Sequence, residues 1–158
     1  MKRLTCTILM ICLLSGCLVA QNPDRHWAVG LSGISPGLPV AVKCVWQSQG
    51  WGAQIEGNYY YALGMLRIDG RKIIVEKGRW GSYGFVGITA NHFNDGITIN
   101  NTLWADVGGA ATVRFGKKQR FELGFEAGLL IPFWSNLGLD QYNNTGFMVA
   151  NIFALWWI

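Results

Sequence analysis

Six charged residues, Lys43, Glu56, Asp106, Arg114, Glu122 and Glu126, sit on stretches whose neighbouring positions are apolar or small. Charges removed from water must be paired and hydrogen-bonded, because an isolated buried ion is strongly unfavourable. Paired, these six form a polar plug; strung together, they would form a proton or ion path. Acid–base catalysis has fewer candidates. The histidines are His26 and His92, and His92 lies in Asn91-His92-Phe93-Asn94-Asp95. A hydrolytic base needs a nucleophile or an activated water beside it. No Ser/His/Asp set, metal-ligand spacing or phosphate loop appears elsewhere. No catalytic residue, metal or cofactor is therefore assigned. Of the cysteines, Cys6, Cys12 and Cys17 fall near the N-terminus and Cys44 on an apolar face, which excludes a disulfide framework. Cys44 is read as a small hydrophobe.

The elements that position the charges are clearest over residues 103–133. Phe121, Leu123, Phe125, Ala127, Leu129, Ile131 and Phe133 alternate with Glu122, Gly124, Glu126, Gly128, Leu130 and Pro132. A period of two marks a strand with two unlike faces. Leu103, Ala105, Val107, Gly109, Ala111, Val113 and Phe115 likewise oppose Trp104, Asp106, Gly108, Ala110, Thr112 and Arg114. A polar connection at 116–120 joins the two as a hairpin. A one-residue slip would mismatch the faces. The spacing therefore predicts Phe115 opposite Phe121 and Arg114 opposite Glu122.

Both strands exceed the ordinary length of about 5–6 residues; a membrane-spanning strand needs about 9–11. The second face is Gly, Ala and a few charges rather than the Lys, Glu and Thr of a wetted sheet. That combination fits a lipid-facing outer wall around a narrow, filled interior. Composition agrees. Hydrophobic residues are 51% and charged residues 14%, against about 25% charged in soluble domains. Gly, at 21 residues, is also raised.

Taken in order, residues 1–20 read as a signal peptide: Lys2 and Arg3, an apolar core from Leu4 to Leu14, then small residues. Two cleavage readings compete. Leu14-Ser15-Gly16-Cys17 resembles a lipoprotein box that would lipidate Cys17, and Leu18-Val19-Ala20 resembles an ordinary cleavage site. Residues 21–158 form one domain. Its strands are expected at 26–33, 40–47, 51–61, within 65–78, and at 83–93, 103–115, 121–133 and 147–157. Matched faces pair Trp46 with Trp51 and leave Lys43 diagonal to Glu56. Residues 62–79 are ambiguous because Asp69-Gly70 is a hairpin-turn signal. Loops are expected at 94–102 and 134–146, with the sequons Asn100-Asn101-Thr102 and Asn143-Asn144-Thr145 in them.

The connections at 48–50, 78–82 and 116–120 are tight, and those at 62–64, 94–102 and 134–146 are longer. Short turns at one end and loops at the other are the layout of an outer-membrane barrel. Aromatics collect at both ends. Trp27, Trp46, Trp51, Trp80, Tyr83, Phe115, Phe121, Trp156 and Trp157 fall near the turns. Tyr59, Tyr60, Tyr61, Phe93, Trp104, Phe133, Trp134 and Phe147 fall near the loops. Such girdles suit a membrane–water boundary, where amphipathic rings settle. Trp27, Trp46, Trp51, Trp80, Trp134, Trp156 and Trp157 are the interface residues this assigns. The basic groups Arg71, Lys72, Lys77, Arg79 and Lys117, Lys118, Arg120 read as solvated turns, not as a nucleic-acid stripe.

With its signal, eight strands, girdles and apolar final strand Phe147–Ile158, the chain resembles the small eight-stranded outer-membrane barrels of Gram-negative bacteria, the OmpX and OmpA-barrel type, over residues 26–158. The resemblance implies an all-β, up-and-down antiparallel transmembrane barrel in the outer membrane. It implies a structural or surface-interaction role without an open pore. It also implies a monomer whose partners are outer-membrane lipids and the barrel-assembly machinery. That class often ends in Phe or Trp, whereas this chain ends Trp156-Trp157-Ile158. Around His92 the sequence also resembles outer-membrane lipid A deacylases, except that Phe93 and Asn94 stand where their serine is expected. A third reading is a soluble, lipocalin-like barrel with the faces inverted, holding an apolar ligand.

Overall fold

The alternating stretches pair in sequence order and the last returns to the first. In the computed structural model, which describes residues 26–34, 40–60, 62–116, 118–138 and 146–158, the strands are β1 (His26–Ile34), β2 (Ala41–Ser48), β3 (Trp51–Tyr60), β4 (Leu63–Lys77), β5 (Trp80–Asn94), β6 (Ile99–Phe115), β7 (Phe121–Ser135) and β8 (Phe147–Trp157). All neighbours are antiparallel and the sheet closes as β1-β2-β3-β4-β5-β6-β7-β8. The closing seam pairs Ala28 with Trp157 and Ile34 with Asn151. This is the expected all-β, eight-stranded antiparallel barrel. The expected signal peptide at 1–20, Cys17, most of the expected first turn, Tyr61, Lys117 and the sequon at 143–145 lie outside the described residues.

Faces alternate as the sequence pattern requires. Inward positions are buried, for example Ala41, Lys43, Val45 and Gln47 on β2. Outward positions carry exposed apolar side chains around the wall, among them Ile55, Leu66, Ile68, Val86, Ile88, Val107, Phe125, Ile131 and Ile152. The inverted, lipocalin-like arrangement is therefore not the one observed. The interior is filled by large side chains that depend on inward glycines. A Cβ on Gly124 would stand 2.1 Å from the Phe153 ring, and one on Gly108 would stand 2.3 Å from the Ala127 carbonyl oxygen.

Three local features differ from expectation. The Asp69-Gly70 turn signal is overridden: β4 runs straight through both residues, with Gln54↔Asp69 and Ala53↔Gly70 paired to β3. The β3–β4 connection is consequently tight, since Tyr60 already pairs with Leu63. Second, the β2–β3 turn is Gln49-Gly50 alone, with positive φ at both residues (48° and 82°). That is the geometry of a two-residue type I′ hairpin. It pairs Trp46 with Ala53 and sets Lys43 directly opposite Glu56, rather than diagonal to it. Third, β5 and β6 extend to Asn94 and Ile99, so Asn100-Asn101-Thr102 belongs to a strand, not a loop.

The remaining β5–β6 loop, 95–98, is held by Asp95, whose Oδ1 accepts from the backbone N–H of Ile97 (2.9 Å) and Thr98 (2.7 Å). Those bonds, Thr98 first, hold the Asp95 carboxyl below its ordinary pKa. A depressed pKa contributes order that is complete above the unfolded value and lost as pH falls through the folded one. Protection of the Ile97 and Thr98 amides, taken as exchange relative to the unstructured rate at the same pH, should therefore be high at neutral pH and fall only in acid. In Asp95→Ala protection should be low at every pH; strong protection in that variant would show that the carboxylate does not order the loop.

Candidate functional site

The charged residues meet inside the cylinder, and Glu126 of β7 is their centre. It accepts from Lys43 Nζ of β2 and Tyr83 Oη of β5 in very short contacts. Arg67 Nη1 of β4 (3.0 Å), Gln54 Nε2 of β3 (3.3 Å) and Asn151 Nδ2 of β8 (3.5 Å) also donate to it. Arg67 is the second centre. Its Nε faces Asp69 Oδ2 at 2.7 Å and Asp106 Oδ2 closer still, and its Nη1 lies 3.8 Å from Glu56. Lys43 also reaches Glu56 at 3.5 Å. Glu56 in turn accepts from Ser32 Oγ at 2.6 Å. Aromatic faces supply the remaining contact: Lys43 Nζ lies 4.4 Å from the Phe153 centroid, and the Arg67 guanidinium 4.5 Å from that of Phe85.

A second group lies nearer the termini. Arg114 Nε meets Glu122 Oε2 at 2.8 Å, across the register the sequence predicts. Arg114 also bridges to Glu76. Trp157 Nε1 donates to Glu122 at 3.0 Å. Arg71 stacks 3.7 Å from the Tyr83 centroid and donates to Gln47 at 3.3 Å. Of the six charges singled out from sequence, Lys43, Glu56, Asp106 and Glu126 thus converge through Arg67, and Arg114 pairs with Glu122 in the second group.

Sequence reasoning did not find Arg67, Asp69, Arg71, Tyr83, Gln54 or Asn151 in this network. The signal for three of them was present. Met65, Arg67, Asp69, Arg71 and Ile73 alternate with Leu66, Ile68, Gly70, Lys72 and Ile74, which is the same two-faced pattern as on β7.

The aromatics divide. Trp51, Trp80 and Trp156 point outward at the turn end, and Phe133 and Trp134 outward at the loop end; Phe147 takes an inward position there, its ring 5.5 Å from that of the inward Trp104. Trp27 and Trp46 occupy outward positions and are half-buried. Trp157 departs from the expected girdle. Trp156 takes the outward position on β8, so alternation turns Trp157 inward, where it is 8% exposed and bonded to Glu122. Tyr83 and Trp104 are inward for the same reason. Trp157→Phe keeps the packing and removes one donor to a buried carboxylate. It should cost about 1.5–3 kcal/mol in denaturant unfolding, the range for hydrogen bonds to charged groups. A change below about 0.5 kcal/mol, ordinary for a surface substitution, would place that bond outside the stabilising network.

A cavity of about 170 Å³ opens at the loop end, lined in part by Met65, Asn91, Thr102 and Trp104. His92 forms one edge of it, with Nδ1 2.6 Å from Asn101 Oδ1. Among the described residues, no group of three His, Cys, Asp or Glu side chains is arranged to hold a metal ion.

The fold and interior define a closed barrel with a charged core and an apolar wall. No protein-family model matches the sequence, and no curated protein matches it. Among solved structures, the N-terminal β-barrel domain of Pseudomonas aeruginosa OprF superposes with a TM-score of 0.59, covering 85% of this chain and 96% of that one at 8% identity. At that identity the likeness is one of fold: both are closed barrels, and this one has eight antiparallel strands.

Proposed function

We propose that this chain is a monomeric outer-membrane barrel with a structural or surface-interaction role, plugged rather than open, exported by its N-terminal signal peptide. One observation carries the reading: the barrel is inside out relative to a water-soluble protein. Its interior holds charges, with Lys43, Glu56 and Glu122 fully buried, while Ile55, Ile68, Val86 and Ile152 stand exposed on the wall. Water would penalise such a wall, and hydrocarbon would favour it. Tryptophans at both rims suit the two interfaces. The plugged interior follows from the number of side chains across it: Phe85 and Phe153 pack into the inward glycines while Arg67 and Lys43 bridge opposite walls. In this reading the partners are outer-membrane lipids and the barrel-assembly machinery.

The test is envelope fractionation followed by SDS gels with and without boiling. Recovery in the outer membrane with a mobility shift on boiling is the expected result. Release by carbonate without detergent, with no shift, would overturn the proposal.

A further inference from the structure

Charge on the outside of this barrel is distributed very unevenly. The exposed cations Lys72, Lys77, Arg79, Lys118 and Arg120 all lie at the end carrying both termini. Among the described residues the one exposed acidic side chain there, Glu76, is bridged to Arg114. Among the described residues the opposite, loop end carries a single exposed charge, Asp95. Arg79, Lys118 and Arg120 lie in the connections, Lys77 ends β4, and Lys72 lies within it. Lys72 lies on the outer face of β4 opposite Trp51, with Nζ 4.7 Å from the indole centroid. Arg79 immediately precedes Trp80, which is 67% exposed, and Arg120 immediately precedes the outward Phe121. Lys72 therefore sits against an outward ring, Arg79 and Arg120 each adjoin one in sequence, and Lys77 and Lys118 lie at the same rim.

We propose that this rim is a binding collar for anionic phospholipid headgroups in the leaflet at the terminal end of the barrel. The inference rests on the membrane reading above. A ring buried at the hydrocarbon boundary with a cation beside it places the positive charge in the headgroup layer, where a lipid phosphate lies. Lysine and arginine near a bilayer surface each add attraction to anionic lipid. The arrangement is a band around the outer wall, not a cleft. That geometry fits many small mobile anions better than one rigid acidic partner.

The experiment refolds the mature chain into phosphatidylcholine vesicles containing phosphatidylglycerol, with one lipid or the other brominated. Quenching of tryptophan fluorescence then reports which lipid sits against the wall. Phosphatidylglycerol should be preferred by about fivefold at low salt, since several cations act together. The preference should shrink toward one at half-molar salt, because exposed charges are screened. Replacing the five cations with Gln should abolish it. Lys118→Gln/Arg120→Gln, which touches only the connection at 116–120, should reduce it if the full variant does not refold. Equal quenching by both lipids around a heat-modifiable barrel would overturn the collar and leave the membrane reading intact. Failure to form a heat-modifiable barrel in any vesicle would instead overturn the membrane reading. A lipid ratio of one, with retention on purified cell-wall sacculi that the five-residue variant loses, would reassign the collar to that polymer and end the lipid proposal.

Discussion

Replacing Arg67 with methionine should remove about 3–5 kcal/mol of unfolding free energy, the usual cost of deleting one member of a buried ion pair. The guanidinium lies within ion-pair distance of Asp69, Asp106, Glu126 and Glu56 at once. Methionine fills similar space, so the loss comes from carboxylates left without their cation. Guanidinium unfolding of the refolded protein in detergent, followed by tryptophan fluorescence, measures it. Two further outcomes separate electrostatics from packing. Arg67→Met combined with Asp106→Asn should recover part of the loss, because one uncompensated charge is then gone. Added salt should leave the difference nearly unchanged, because a buried pair is poorly screened. A loss below about 1 kcal/mol, the scale of an exposed pair, would mean that water reaches Arg67 and the interior is not sealed.

The second large effect concerns the inward glycines. Gly124→Ala places a methyl group 2.1 Å from Phe153 Cζ, and its three nearest neighbours are all atoms of that ring. Phe153 is buried and cannot swing away. Overpacking of this kind costs about 1–3 kcal/mol. Phe153→Leu in the same chain should restore most of it, since it shortens the obstructing group. Gly108→Ala should behave differently. Its Cβ would meet the Ala127 carbonyl oxygen at 2.3 Å and the Gly128 Cα at 2.7 Å, both backbone. Trimming Phe85 should not rescue that variant, and the chain should show little heat-modifiable species on gels. Equal rescue at both positions would mean that β6 and β7 yield more readily than their pairing suggests.

Most of the fold was legible because one physical signal dominates a barrel wall. Residues 121–133 read correctly since every outward position is apolar and Glu122 and Glu126 mark the other face. The Arg114–Glu122 pairing followed from keeping those faces matched. Legibility failed where a local rule opposed a tertiary one. Asp69-Gly70 is a good turn by itself, but in the barrel Asp69 is wanted inside by Arg67 and Gln54, and Gly70 falls on the outer face. Discounting β4 removed Arg67 from view, and with it the residue that joins Lys43, Glu56, Asp106 and Glu126 into one network. The Lys43–Glu56 register was missed for a smaller reason. Gln49 adopts a positive φ that its residue type does not advertise, so two residues separate the first paired positions where the expected Trp46–Trp51 pairing left four. Trp157 was misplaced because proximity to a strand end says nothing about facing; only the parity set by Asn151, Phe153 and Leu155 does.

The seam between β1 and β8 governs the order of assembly. Ile34 waits for Asn151, so the first and last strands meet only when nearly the whole chain is present. Such long-range pairing is a slow step. Until it occurs, β1 and β8 each expose an unpaired edge open to other chains, an edge that hydrocarbon would not tolerate if the barrel sits in a membrane as proposed. The same delay applies to charge. Glu126 draws its partners from β2, β3, β4, β5 and β8, so an open sheet would leave it incompletely neutralised. Curling the sheet, sealing the seam and neutralising the interior must therefore proceed together. A chain shortened within β8 should stall as a species prone to pairing with other copies, not fold into a smaller barrel.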